Sequence, residues 1–290
     1  MPMRSTKAGV ALLTTALALG VVFATGSAIA QDEGLSRNLR NARATIPTNM
    51  ITIECQNGTA VIGVNGDGNL IQFESPMGYE HVGVGVFSEG YVLAYNDGLA
   101  DKMIYDTGIV GMGGEEFGWG PPAMVPGGNF VDRYSLDGKV KLTQIFKPYC
   151  GARTLLVINR IANVGSVALT NNCFARQVDF DVDTGGEHGW ANFVNNHAAS
   201  QDAYIAWNDK GAAADAENGA VAHSMHLSYL GGWGAAAKVT NAILDRTCPA
   251  TDVAFDDARM DTDDGGRIEA MRASIAPGQA MHLYVEYKRD

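Results

Sequence analysis

The sequence predicts an all-β protein, a large antiparallel β-sandwich with many strands and few short helices. Segments rich in β-branched and aromatic residues recur along the 290-residue chain, and several of them alternate apolar and polar residues. Asn, Asp and Gly residues mark turns between these segments at intervals of about eight to twelve residues, the spacing of sandwich strands. Helical patterning is weak, since only residues 33–44 and 212–226 suggest short helices and neither has strong start and stop signals.

The first thirty residues have the layout of a secretory signal peptide. Arg4 and Lys7 precede an apolar stretch, Ala8 to Ala24, and Ala28-Ile29-Ala30 places small residues at the two positions that a signal peptidase reads. We therefore expect residues 1–30 to be removed and the protein to be secreted or periplasmic. An uncleaved anchor is the alternative, although the apolar stretch is short and interrupted. No later stretch reaches the ~20 apolar residues that span a bilayer, so no membrane span is expected after cleavage.

Strand-like segments follow in order from residue 50 onwards. They are residues 50–55, 59–64, 70–73, 81–87, 91–95, 139–146, 154–161, 167–170, 174–182, 203–207 and 280–287. Turn signals lie at residues 56–58, 65–69, 96–98, 163–166 and 276–278. The turn at 163–166 predicts a hairpin between the strands on either side of it. Residues 65–69 also place oxygens at alternate positions, as in a cation-binding loop, but a hairpin accounts for this pattern.

Four cysteines in an exported chain predict two disulfides. In the hairpin expected around residues 163–166, Cys150 and Cys173 would be offset by about six residues, or roughly 20 Å. Bonded cysteine Cα atoms lie within about 7 Å of each other, which disfavours that pair. Two pairings remain: Cys55 bonds to Cys150 or to Cys173, and Cys248 takes the other. Four separate reduced thiols are the alternative.

The net charge limits the class of protein, and the lack of a recognisable linker limits its domain organisation. The formal net charge is −11, which provides no basic surface for nucleic acid. No Ser/Pro-rich or charged linker divides residues 31–290, so we expect a single sandwich domain. Two fused sandwich halves are the alternative, suggested by the similarity of Ala94-Tyr95-Asn96-Asp97 to Ala206-Trp207-Asn208-Asp209.

An acidic strand is the densest polar feature of the sequence. Asp179, Asp181 and Asp183 alternate with Phe180 and Val182, so on a strand the three carboxylates share one face and the apolar residues face the core. Three adjacent carboxylates repel one another unless a cation or solvent screens them, and calcium prefers oxygen ligands of this kind. The alternatives are a solvated strand face and a catalytic group.

Three tryptophans lie beside glycines, at Trp119, Trp190 and Trp233. A tryptophan on a glycine-flanked loop is often poorly covered, and exposed aromatic rings near carboxylates suit small polar ligands such as sugars. Trp119 belongs to the Gly- and Pro-rich stretch 111–130, which also carries Glu115. The sequence therefore predicts ligand contacts at these residues, and the alternative is that the tryptophans fill the ends of the sandwich.

Two functions agree with these observations. The first is an exported non-catalytic binding or surface-structural protein, whose Gly/Trp loops contact a glycan or a cell-surface component. The second is a carbohydrate-active enzyme of the mutarotase or lyase type, with His188 or Glu116 as acid/base and Asp181 as its partner. No nucleophile elbow, P-loop or dinucleotide-binding motif is present, so the sequence leaves open whether the protein is an enzyme. Convergence of Trp119, Glu116, Asp181 and His188 in one pocket would favour the enzyme.

Overall fold

The protein is built from antiparallel β-strands that form packed sheets. The computed structural model describes residues 51–55, 60–75, 80–82, 89–107, 115–124, 128–180, 182, 196–199, 203–207, 224–231, 236–240, 246–249 and 265–290. The strands within these ranges are β1 (Ile51–Glu54), β2 (Val61–Val64), β3 (Leu70–Glu74), β4 (Glu89–Asn96), β5 (Asp101–Thr107), β6 (Glu115–Phe117), β7 (Ala123–Met124), β8 (Phe130–Tyr134), β9 (Val140–Tyr149), β10 (Thr154–Asn163), β11 (Leu169–Asp179), β12 (Asn196–Ala199), β13 (Ala203–Trp207), β14 (Ser224–Gly231), β15 (Ala236–Thr240), β16 (Gly265–Ile275) and β17 (Ala280–Arg289). A short 3-10 turn, Cys150–Ala152, separates β9 from β10.

Two large sheets and one small sheet contribute to the sandwich. The eight-stranded sheet has the order β12-β13-β14-β17-β10-β9-β8-β7, and the six-stranded sheet has the order β15-β16-β11-β4-β5-β6. The small sheet contains β1, β2 and β3. Buried apolar residues from all three sheets form one core cluster, which includes Phe73, Leu93, Phe146, Phe174 and Leu283. The predicted all-β sandwich is therefore confirmed.

Alternation of apolar and polar residues explains why these segments form strands. Along β9 and β17 buried residues alternate with more exposed ones, as expected when one face of a strand covers a core. Most predicted strands are confirmed within two or three residues of their predicted bounds. Residues 81 and 82 lie outside any strand, and the rest of the predicted strand 81–87 lies outside the described residues. The suggested helix at 212–226 is wrong at its end, because β14 begins at Ser224; residues 33–44 are not described.

The hairpin predicted around residues 163–166 is wrong, because β10 and β11 belong to different sheets. β10 pairs with β9 and β17, whereas β11 pairs with β4 and β16. The Asn163 side chain directs this crossing: its Nδ2 donates to the carbonyls of Val167 and Ile275, both at 2.8 Å. The neighbouring crossing from β16 to β17 is bonded to it, since Gly278 N donates to the Asn163 carbonyl. The turn residues were recognised correctly, but turn chemistry does not determine whether the two strands share a sheet.

Two disulfides crosslink parts of the chain that are distant in sequence. Cys55 bonds to Cys150 and Cys173 bonds to Cys248, with Cα atoms 5.3 and 5.6 Å apart. This is one of the two predicted pairings, and it excludes the Cys150–Cys173 pair. Two disulfides fit an oxidising compartment. The predicted signal peptide, residues 1–30, lies outside the described residues, and within the described part of the chain no helix is long and apolar enough to cross a membrane.

A buried polar network fixes the β2–β3 loop between the large sheets. Arg176 on β11 donates through Nε and Nη2 to the carboxylate of Glu89, each at 2.6 Å, and its Nη2 also donates to the Gly68 carbonyl at 3.1 Å. The hydroxyl of Tyr287, on the opposite sheet, donates to Glu89 at 2.8 Å. Because both charged groups are fully buried and paired, the loop that carries Asp67 has a defined position.

Candidate ligand-binding groove

The candidate site lies where the edges of the two large sheets meet. β6 is the edge strand of the six-stranded sheet, and it pairs with β5 so that Glu116 is opposite Asp106. Beyond β6 the chain turns at Gly118, and Trp119 forms an isolated bridge with Ser135, the residue after β8. Gly118 has a φ of 79°, and a Cβ there would lie 2.2 Å from Cγ2 of Ile104. Glycine is therefore required for the chain to cross from one sheet edge to the other.

A groove of about 750 Å³ opens along this junction, between β5, β6 and the turn after β8. Two apolar side chains on its wall are largely exposed, Phe117 at 59% and Leu136 at 73%. The Phe117 ring stacks on Tyr105, with ring centroids 5.8 Å apart and an interplanar angle of 26°. The Arg246 guanidinium lies over the other ring of this pair, 5.7 Å from the Tyr105 centroid. The exposed Phe117 ring is thus held in position by its packing on Tyr105.

Asp137 is an exposed carboxylate on the groove wall that protein donors hold in place. Its Oδ1 accepts from Ser135 Oγ at 2.6 Å and from Lys139 N at 3.1 Å, and its Oδ2 accepts from the Tyr95 hydroxyl at 2.8 Å. Partial burial raises the pKa of Asp137, but the hydrogen bonds from Ser135 and Tyr95 outweigh that effect and leave it below its usual value. Burial and the bond to Asp137 raise the pKa of Tyr95. At neutral pH the pair is therefore a carboxylate with a neutral phenol.

Glu116 is the second ordered carboxylate of the groove, and a buried arginine holds it. Arg133 extends from β8 and donates through Nη2 to Glu116 Oε1 at 2.7 Å. The same guanidinium donates to the Gly120 carbonyl, to the Tyr91 hydroxyl at 3.0 Å and to Asp106. Since Arg133 is fully buried, these partners replace the water that its charge loses on folding. The arginine links the edges of the two sheets and fixes one wall of the groove.

Three carboxylates converge behind the groove, those of Asp67, Asp106 and Glu116, with one oxygen of each within 4.8 Å of the others. Such a cluster has the donor set of a cation site. Here the Arg133 guanidinium contacts Asp106 and Glu116, and its Nη1 lies 3.6 Å from Asp67. The positive charge that the cluster needs thus comes from the protein. Burial raises the pKa of Asp106 to about 7, although Arg133 and Asn69 act in the opposite direction.

The structure places some of the sequence-predicted site residues in or near this groove. Glu116 is on its wall, and Glu115 precedes it in β6. Trp119 also lines the groove, but the expectation that its ring is exposed is wrong: the side chain is 3% exposed and packs edge-on against Tyr91 at 5.8 Å. The alternative, that this tryptophan fills the sandwich, agrees with the structure. Its Nε1 is buried and has no hydrogen-bond partner among the described residues.

The other predicted site residues are not brought into the groove by anything that the structure describes. Phe180 and Val182 are fully buried, as the alternation of the acidic strand predicts, and Asp179 is the last residue of β11. Asp181, Asp183, His188, Trp190 and Trp233 lie outside the described residues. The proposed calcium site on the acidic strand and the convergence of His188 and Asp181 with Glu116 therefore stay predictions.

Sequence reasoning missed the residues that order the groove. Arg133 and Asp106 are charged side chains on inward-facing positions of strands, and for Arg133 the signal is its spacing of two from the buried Val131. Asp137 looks like an ordinary turn aspartate, and only the approach of Tyr95 from the other sheet distinguishes it. Phe117 directly follows the two glutamates of the Gly-rich stretch, where the prediction favoured the neighbouring tryptophan.

Comparisons with known proteins give no family for this chain. No family model matches it, and no curated protein is similar to it. Among solved structures it is similar to a bacterial glucoamylase complexed with acarbose, with a TM-score of 0.46 and 10% sequence identity. The similarity covers 83% of this chain and 32% of that chain, so this protein spans about a third of the glucoamylase's length. A likeness of this degree carries no argument about function.

Proposed function

We propose that this is an exported, non-catalytic β-sandwich protein that binds carbohydrate in the groove between β5, β6 and the turn after β8. The observation that carries the proposal is that one groove is lined by an exposed aromatic residue, Phe117, and by two carboxylates, Asp137 and Glu116, whose positions are fixed by buried or paired donors. The predicted signal peptide and the two disulfides support export.

The chemistry of a sugar matches these groups. One face of a pyranose ring presents C–H bonds, which pack on an aromatic ring, while its hydroxyls donate to carboxylates. Hydrogen bonds to charged acceptors contribute about 1.5–3 kcal/mol each. Because Asp137 and Glu116 are already ordered by Tyr95, Ser135 and Arg133, a ligand loses little free energy in arranging them.

Calorimetric titration of a glycan panel tests this proposal. We expect at least one glycan to bind the purified protein, and Phe117→Ala to weaken that binding about tenfold or more. Tyr149→Ala is the matched control, because Tyr149 is a similarly exposed aromatic residue, 51% accessible, that does not line the groove. Absence of binding to every glycan, or equal loss in both variants, would refute the proposal.

A carbohydrate-active enzyme is the second candidate, and the raised pKa of Asp106 close to Glu116 favours it. Asp106 itself is fully buried and held by Arg133, so Glu116 is the carboxylate of this cluster that a substrate would contact. The test is release of new reducing ends or unsaturated products from the bound glycan. Turnover that Glu116→Gln abolishes would establish the enzyme and reject the non-catalytic proposal.

A further inference from the structure

We infer that the groove selects carbohydrates that carry ammonium groups, such as amino sugars, and excludes acidic sugars. This inference rests on the proposed function, since it names the ligand class for the same groove. It is based on the charges of the side chains around the groove and on the hydrogen bonds that the groove side chains already make.

Acidic groups outnumber cations on the groove wall. Asp101, Glu116 and Asp137 contribute carboxylates, whereas Lys102 is the cation of the described wall. The Lys102 ammonium lies 3.9 Å from Asp97, a carboxylate that Lys139 also contacts at 2.5 Å. The single charge of Asp97 offsets only part of the charge of the two lysines, but three carboxylates against one lysine on the wall leave an excess of negative charge, which a sugar carboxylate entering the groove would meet.

The Arg133 guanidinium, which lies behind the groove wall, is also neutralised by nearby carboxylates. Arg133 faces Asp67, Asp106 and Glu116, so its charge is balanced before any ligand arrives. Arg246 lies over Tyr105, which does not line the groove. Among the residues that the structure describes, a sugar carboxylate in the groove thus meets no available arginine fork of the kind that proteins use to bind carboxylates.

Asp137 is the group best placed to bind an ammonium. It is exposed, and of its two oxygens Oδ2 accepts a single hydrogen bond among the described contacts, from Tyr95. A carboxylate oxygen has two acceptor sites, so Oδ2 retains one for a ligand donor. The fixed orientation imposed by Ser135 and Tyr95 makes this acceptor available without rearrangement.

The Trp119 indole is a second feature of the groove, and it favours a ligand with hydroxyl groups over a simple amine. The Nε1–H of Trp119, in the same wall, is buried and lacks an acceptor among the described residues. An unsatisfied buried donor costs about 1–3 kcal/mol, so a ligand oxygen that comes within hydrogen-bonding distance of Nε1 would be stabilised there. An ammonium cannot accept this bond, but a sugar hydroxyl can.

Titration with three matched probes tests the inference: a glucosamine oligomer with free amino groups, its fully N-acetylated form and a galacturonate oligomer of equal length. We expect the free-amino oligomer to bind at least tenfold more tightly than the acetylated one, and this preference to shrink at high salt. Asp137→Asn should remove most of the preference. Asp132→Asn is the control, because Asp132 pairs with Lys141 at 2.8 Å and does not line the groove.

The outcomes separate this inference from the proposed function. Equal binding of the amino and acetylated oligomers, or tighter binding of the galacturonate, would overturn charge selection while leaving carbohydrate binding intact. Binding to no glycan would overturn both. If Asp137→Asn lowers the melting temperature, Asp101→Asn provides a second test, since Asp101 is an exposed groove carboxylate at the end of a hairpin.

Discussion

Asp106 should make the stability of this protein depend on pH in an unusual direction. Burial raises the pKa of Asp106 from 3.8 to about 7 in the folded state. Between these two values the folded protein binds a proton that the unfolded chain has released. The free energy of unfolding should therefore fall as pH rises from about 4 to about 7, and should be independent of this group above and below that range.

The size of the effect follows from the shift of the Asp106 pKa. A difference of about 3 units, at about 1.4 kcal/mol per unit, gives roughly 4 kcal/mol as an upper bound. Carboxylates whose pKa is lowered, such as Asp97 and Asp137, contribute stability that is lost only below about pH 4, outside this window. Two half-buried histidines with a lowered pKa, His226 and His282, act within it but in the opposite direction.

Urea denaturation of the wild type and of Asp106→Asn between pH 4 and 8 isolates the Asp106 contribution. Groups common to both proteins cancel in the difference, so wild type should lose up to about 4 kcal/mol relative to the variant as pH rises. A constant difference, or a gain by wild type as pH rises, would show that Arg133 holds Asp106 ionised, and the reasoning from burial would be refuted.

Further predictions concern the backbone, a disulfide and calcium. Gly118→Ala should lower the free energy of unfolding by more than about 2 kcal/mol because its Cβ would meet a side chain of β5, whereas Gly138→Ala, also at positive φ but with open space around it, should cost about 1 kcal/mol. Replacing Cys55 and Cys150 by serine should cost about 4–5 kcal/mol in urea denaturation, since the bridge spans 95 residues; a loss below 1 kcal/mol would contradict this. If the acidic strand 179–183 binds calcium, excess calcium should raise the melting temperature above its value in EDTA, and identical values would remove the proposal.

Local regularities of the sequence predicted much of the fold. The alternation of apolar and polar residues over 139–146 predicted strand β9, because the period of side chains along a strand is two whatever the partner strand. Strands such as β5 and β8 were missed because buried charged residues, Asp106 and Arg133, interrupt their apolar pattern.

The groove was predicted only in outline. The Gly- and Pro-rich stretch 111–130 was predicted to contact a ligand, and four of its residues, Glu116 to Trp119, line the groove. Its exposed aromatic residue is Phe117 and not Trp119, because the β5–β6 register and the bridge to Ser135 turn the indole inward. A sequence shows that an aromatic residue is present in a loop but not which side of the loop the next sheet covers.

The sequence by itself determined that this chain forms antiparallel strands, and it limited the cysteine pairing to two choices. The tertiary structure decided which strands share a sheet, which disulfides form and which carboxylates line the groove. The physical reason is the separation in sequence of the residues that interact. Strand formation depends on neighbouring residues, whereas the contacts of Arg133 with Glu116 and of Tyr95 with Asp137 join residues 17 and 42 positions apart. Contacts of that kind exist only after the two sheets have packed.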